Sequence, residues 1–300
     1  MVKGIHFLLT YSCTFECEHC FLHCSPEARG TFTGEQLRKA FAEVERMGTI
    51  EMVYFEGGEA FLYYPLLLEG LRMAASLSLQ AGIVTNAYWA TSVQGAEIWL
   101  TPIRDIGIAD LSISNDAFHQ NAEENSSARL ALAAARNLGI PCDTICIEPP
   151  ASACRQEDMR NRGEPVTGGA VLFRGRAAER LTEGLPRRRR EELTTCPHEE
   201  LESPARVHVD CYGNVHICQG LSMGNMWQTP LSQLVREYHA PQHPICGPLV
   251  AGGPAALARE CGIGLPDAFV DECHYCYAVR KTLVDRFPTY LAPRQVYGLS

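Results

Sequence analysis

"GIHFLLTYS" (residues 4–12) runs straight into "CTFECEHC" (residues 13–20), and this junction decides the fold. The first segment is a short apolar run bounded by polar residues, which reads as a strand. The second sets Cys13, Cys17 and Cys20 at the spacing C-x3-C-x2-C. Three thiols on one loop make a metal site one ligand short of four. Structural zinc prefers paired spacings such as C-x2-C with a second pair later. His19, His23 or Cys24 stands near enough in sequence to complete a zinc site. Iron–sulfur clusters favour all-thiolate ligation, and three thiolates on a cubane leave one iron open.

The surrounding chain fits a reduced, soluble setting. Residues 1–13, "MVKGIHFLLTYSC", carry one lysine and no small-residue cleavage site, so they read as a strand and not as a signal peptide. Fourteen cysteines exceed what buried small hydrophobes explain. Without a secretory signal, clustered thiols point to metal binding in the cytoplasm. The 300 residues allow one large domain, or one domain with an appendage. With 46% hydrophobic and 20% charged residues the composition is that of a globular protein. A net charge of −9 argues against nucleic acid as partner. No apolar run reaches the ~20 residues that span a bilayer.

Working outward, strands and helices alternate. "TGEQLRKAFAEVERMG" reads as a helix from the N-cap Thr33 to the stop Gly48. "EMVYFEGGEAF" is a strand ending in two glycines, and "YPLLLEGLRMAASLSL" is a helix with Pro65 near its start. "QAGIVTNAYW" is a strand, followed by "SVQGAEIWLTPIRDIG", a helix interrupted around Pro102. "ADLSISNDAFH" and "IPCDTICIEPP" are strands flanking the Ala-rich helix "NSSARLALAAARNLG". A sixth strand, "GGAVLFRGRA", follows a polar loop at 151–168. This rhythm predicts βαβ units, a parallel sheet and an α/β partial barrel of about six strands, against eight in a closed barrel. Chemistry in such sheets gathers at the C-terminal strand ends. The cysteines, "EGGE", "TNAYW" and "SNDAFH" all fall there.

From about residue 185 the pattern changes. The run Arg187 to Arg190 reads as a solvated helix face or linker, with docking of an anionic substrate or peptide as the alternative. "ARVHVDCYGNVHIC" is a hairpin with Gly213-Asn214 at its turn. "PLSQLVREYH" is a short helix, and "DECHYCYAVRKTLVDRF" carries another C-x2-C. Two hairpin cysteines plus C-x2-C is also a zinc-ribbon pattern.

The three-cysteine loop, with His19 in the slot before the third cysteine, resembles the C-x3-C-x-aromatic-C motif of the radical S-adenosylmethionine (radical SAM) superfamily. Further stretches match that family in order. "GGEA" (57–60) is similar to its GGEP motif, with Ala60 in place of proline, and implies Gly57, Gly58 and Glu59 at the cofactor. "TNAYW" implies Asn86, "SISND" implies Ser112, Ser114 and Asp116, and "FRGRA" (173–177) implies Arg176. The resemblance spans about residues 5–180. It implies a [4Fe-4S] cluster on Cys13, Cys17 and Cys20 and S-adenosylmethionine on the open iron, with His19 near the adenine. The residue types suit that ligand on their own: paired glycines admit close backbone approach, and Ser, Asn and Asp supply donors and acceptors. Taken singly, each also fits a turn or a helix cap.

The last third resembles the auxiliary-cluster extension called SPASM in its full form and twitch in its short form. "GNVHIC", "CQGLSMGNM" and one C-x2-C favour twitch, with a second [4Fe-4S] cluster on Cys196, Cys218, Cys273 and Cys276. Cys211, Cys246 and Cys261 are weaker ligand candidates. The domains are then 1–184 and 185–300. Cys142 and Cys146 read as core, and Cys154 as a candidate reactive thiol in the polar loop.

Together these features imply hydrogen-atom abstraction and oxidation or cross-linking of a substrate, with the auxiliary cluster accepting the electron. Oxidation also needs a proton acceptor, for which Asp116, His119 and Glu148 are candidates, His119 first. The first strand starts within ten residues of the chain start, so no N-terminal domain for gripping a leader peptide is expected. The expected substrate is a peptide or protein, brought in some cases by a separate presenting protein, and the electron donor is of the reductase or flavodoxin type. Two other functions fit the same residues: a twitch-type small-molecule dehydrogenase or biosynthetic enzyme, and a non-catalytic zinc or iron–sulfur module.

Overall fold

β1 (Gly4–Thr10) is buried at every position after Gly4, as expected for a parallel strand covered on both faces. It belongs to a computed structural model that describes residues 1–119, 126–150, 162–163 and 168–300. α1 (Gly34–Met47) follows. Thr33 and Gln36 form a capping box at its start, and Gly48 stops it in the left-handed conformation. Leu37, Ala40, Phe41 and Val44 recur at helical spacing and make its buried stripe. β2 (Met52–Gly57), α2 (Tyr64–Ser76), β3 (Gln80–Thr85), α3 (Val93–Ile106), β4 (Asp110–Ser114), α4 (Ser127–Asn137), β5 (Cys142–Glu148) and β6 (Gly168–Ala170) continue the alternation. Each neighbouring strand pair from β1 to β6 is parallel.

α3 is not interrupted at Pro102 but runs through it. The proline denies a donor to the carbonyl of Ile98, and Ile98 is exposed, so water can satisfy that group. The sixth strand is also short: the chain leaves the sheet after Ala170, and α5 (Arg176–Arg180) begins at the expected "GRA" turn.

The C-terminal third joins the same sheet. After β7 (Arg188–Arg189), the strands β8 (Arg206–Asp210), β9 (Asn214–Cys218) and β10 (Leu221–Asn225) form an antiparallel meander. β8 pairs in parallel with β1, from Gly4↔Arg206 to Leu8↔Asp210. The nine-stranded order is therefore β10-β9-β8-β1-β2-β3-β4-β5-β6. At the seam Tyr11 donates to buried Asp210 at 2.9 Å, and Asn214 donates to the same carboxylate through its backbone and side chain. α6 (Leu231–Glu237), α7 (Cys246–Cys261), β11 (Ala268–Phe269) and α8 (Glu272–Leu283) complete the chain. The arginine run does not form a helix face. β7 pairs with β11, and Arg188 is bound to Glu272 at 2.8 Å. No helix among the described residues is long and apolar enough to cross a membrane.

Candidate functional site

A cavity of about 590 Å³ occupies the inside of the curved sheet. Cys13, Cys17 and Cys20 lie on its wall. Their loop leaves β1 and is closed on itself: Cys13 N–H donates to Ser25 O, and Ser12 Oγ donates to Ala28 O. Arg176, at the start of α5, clamps the loop from behind. Its guanidinium donates to Cys17 O at 2.6 Å and Cys24 O at 2.9 Å, and its backbone N–H to Cys20 O. Burial pushes the Cys13 thiol up to about 11 and raises Cys17 further, with neighbouring cysteines adding to both. Cys20 is drawn down to about 6, chiefly by the Cys24 thiol beside it. Crowded, desolvated thiols that oppose one another's ionisation suit a multinuclear cationic centre, which removes that repulsion.

The strand ends supply the rim. Gly57 and Gly58 line the cavity, and their backbone lies against the base of the cysteine loop. Gly58 N–H donates to Thr10 O and Glu59 N–H to Ser12 O. A Cβ on Gly58 would meet Ser12 O at 2.1 Å, so only glycine fits. The Asn86 amide donates to Thr14 Oγ1 at 3.1 Å and approaches Cys13 Sγ at 3.5 Å. Ser112, Ser114, Asp116, His119 and His19 share the same wall. His119 Nδ1 lies 2.8 Å from Asp116 Oδ1. Phe118 N–H and Ile147 N–H donate to the two oxygens of the same carboxylate. Burial alone would raise Asp116, but the His119 contact outweighs it and holds the carboxyl below its ordinary value. His19 packs against Phe118 at a tilt, with ring centroids 4.5 Å apart. Burial, then His119, lowers His19 to about 4, so it is neutral.

A second, smaller pocket is lined by all four of Cys196, Cys218, Cys273 and Cys276. Cys211, Cys246 and Cys261 do not line it. Burial pushes Cys196 up to about 12, with Cys276 and Cys218 adding to the shift. Two arginines, 3% and 1% exposed, close this pocket. Arg174 Nη1 is 3.2 Å from Cys218 Sγ and 2.9 Å from Glu199 Oε1. Arg280 donates to Gln219 O. Buried guanidinium groups need anionic company, and the pocket's two carboxylates are shared, Glu199 with Arg206 and Glu272 with Arg188. Among the described residues no three thiols lie within 4.8 Å of one another. Tetrahedral zinc, with Zn–S near 2.3 Å, draws its sulfurs to roughly 3.8 Å. Arg174 lines both cavities.

Several expected residues lie elsewhere. Arg176 is not on the cavity wall, because its guanidinium is spent on loop carbonyls. Glu59 is also behind the wall: its carboxylate accepts from Phe61 N–H, Thr85 Oγ1 and Asn86 N–H, tying the β2 turn to the end of β3. Glu148 does not face the cavity. Ile145 and Ile147 do, and strand alternation turns Glu148 outward to solvent. Cys142 is half-buried and packs against the core, whereas Cys146 is exposed and is not core. Cys154 lies outside the described residues. The sequence reading missed Arg174, Glu199 and Arg280, since a buried arginine has no sequence signature apart from its partner. It also missed His6, Glu56 and His208, polar residues within otherwise apolar strands, which was the available clue.

No family model matches the chain. Over 127 residues, 42% of the chain, it is 26% identical to YydG of Bacillus subtilis (strain 168), which is named for peptide biosynthesis. That match spans 40% of the length of YydG. The fold is similar to that of BtrN in complex with AdoMet and 2-DOIA, with a TM-score of 0.52 and 15% identity over 79% of this chain and 83% of BtrN. Methylornithine synthase (PylB) gives a TM-score of 0.39 over 50% of this chain and 46% of its own. The α/β partial barrel expected from the sequence is the architecture found.

Proposed function

We propose that this chain, which carries the fold and the three-cysteine loop of radical SAM enzymes, oxidises or cross-links a peptide or protein substrate held in its 590 Å³ cavity. The observation that carries this reading is the pairing of two thiol sites, one on the cavity wall and one behind it, with Arg174 lining both cavities. When bound, a [4Fe-4S] cluster on Cys13, Cys17 and Cys20 with S-adenosylmethionine supplies a 5′-deoxyadenosyl radical for hydrogen-atom abstraction, and a cluster on Cys196, Cys218, Cys273 and Cys276 supplies an electron acceptor.

The chain's own residues do the rest. Asn86, Ser112 and Ser114 offer donors and acceptors to a polar cofactor. The Asp116 carboxylate fixes Nδ1–H of His119, which leaves Nε2 with its lone pair to take a proton from the substrate. His19, neutral and packed at a tilt against Phe118, offers a ring face to a purine. The cavity walls limit water that would quench a radical. A peptide substrate is supported by the partial match to YydG, named for peptide biosynthesis. The BtrN likeness favours a second reading, a small-molecule substrate, because BtrN was solved with AdoMet and 2-DOIA.

The test is anaerobic reconstitution, metal and sulfide analysis, and incubation with reductant and S-adenosylmethionine. The proposal expects about eight irons per chain and release of 5′-deoxyadenosine. Zinc without sulfide, or no 5′-deoxyadenosine from fully loaded protein, would sink it and leave the non-catalytic module.

A further inference from the structure

The far end of the cavity carries a cluster that radical chemistry does not use. The adjacent strands β2, β1 and β8 bring Glu56, His6 and His208 together on the cavity wall. His6 sits opposite His208 in the β1–β8 register. His6 Nδ1 is 3.3 Å from Glu56 Oε1, and His208 Nε2 is 3.2 Å from the same oxygen. Their side chains are only 7%, 15% and 5% exposed for His6, Glu56 and His208.

These contacts lack the alignment of hydrogen bonds. His6 Nδ1 and Glu56 Oε1 have no hydrogen-bond partner, and neither has His208 Nδ1. Arg206 Nη1 and Gln219 Nε2 stand 3.4 Å from His208 Nε2, too far to hold its lone pair firmly, so that nitrogen presents a lone pair that a cation can take from them. An accepting nitrogen cannot also donate to Glu56. Two lone pairs therefore face each other at 3.2 Å inside the protein. That is costly unless a cation lies between them. A divalent ion with N and O ligands near 2.1 Å separates them by about 3.0–3.4 Å, between octahedral and tetrahedral angles. The observed spacings fall in that range.

We propose that His6, Glu56 and His208 bind one divalent first-row transition-metal ion through two imidazoles and a carboxylate. Three protein ligands leave coordination positions open, the pattern of a reactive or substrate-binding metal and not of a structural one. The open positions face the cavity and take an oxygen or nitrogen donor of the substrate. The site stands independently of the radical chemistry proposed above.

The test uses zinc(II) as probe. Cluster-loaded protein is dialysed anaerobically against micromolar zinc, and bound zinc is counted by elemental analysis in wild type, His6→Gln and Glu56→Gln. Wild type should hold about one zinc more than either variant, and the variants should lose on the order of 100-fold in zinc affinity. Equal zinc in all three overturns the proposal. So does its absence from wild type, because zinc binds such ligands more tightly than manganese, iron or cobalt(II) does. Should the variants misfold, zinc-edge X-ray absorption of wild type decides alone: a nitrogen–oxygen shell with imidazole scattering supports the site, and a sulfur shell overturns it.

Discussion

At the scale of single residues, polar contacts set protonation states. Asp116 fixes the tautomer of His119, so His119→Gln should leave cleavage of S-adenosylmethionine intact but cut turnover of the substrate by roughly 10²–10⁴. Comparing 5′-deoxyadenosine with modified product separates the two steps, and equal loss of both would assign His119 to the cofactor. Arg174 places a positive donor 3.2 Å from Cys218 Sγ. Arg174→Gln removes a charge that would favour the reduced form of the proposed auxiliary cluster, so its midpoint potential should fall by on the order of tens of millivolts in an EPR redox titration. His243 accepts from Ile245 N–H and Cys246 N–H through Nδ1 and donates to Ser222 O through Nε2. Burial lowers its pKa despite Ser222 O. The folded protein then binds fewer protons here than the unfolded chain, so stability from His243 is present above the ordinary histidine value near 6.5 and is lost as pH falls below it. The melting-temperature gap between wild type and His243→Gln should therefore narrow from pH ~7.5 to pH ~5.

At the scale of elements, the β1 loop and the β2 turn are one unit. Gly58 meets Ser12 backbone too closely to carry a Cβ. Gly58→Ala should push the cysteine loop off its seat and lose roughly half the iron, the first cluster's share, while far-UV circular dichroism stays near wild type. Iron content equal to wild type would refute this coupling. Much at this scale was legible in the sequence. Local periodicity marks β1 to α4, because a parallel strand and an amphipathic helix differ in period and the caps Thr33 and Gly48 punctuate them. The inward set of β5 was not legible: with mixed burial along "CDTICIE", nothing local says whether Ile147 or Glu148 faces the cavity. Arg176 was misplaced for a related reason. The "GRA" turn was recognised, but the carbonyls that its guanidinium reaches lie over 150 residues away in sequence.

At the scale of the molecule, the decisive contact is β8 on β1. Sequence adjacency cannot reveal a pairing between residues 4–8 and 206–210, so the C-terminal third read as an appendage when it continues the sheet. A chain cut after residue 184 leaves β1 as an open, apolar edge and removes Asp210 from Tyr11. Such a fragment should be insoluble or aggregated on size-exclusion chromatography. A monomeric, cooperatively melting fragment would show instead that the barrel folds alone.

The Arg176 clamp also bears on the order of biogenesis. The guanidinium that holds the carbonyls of the cysteine loop comes more than 150 residues after it in the chain, and the strand that flanks β1 later still. A growing chain therefore carries the loop before its cradle is finished. The cluster proposed for Cys13, Cys17 and Cys20 would then be loaded once these later segments have folded.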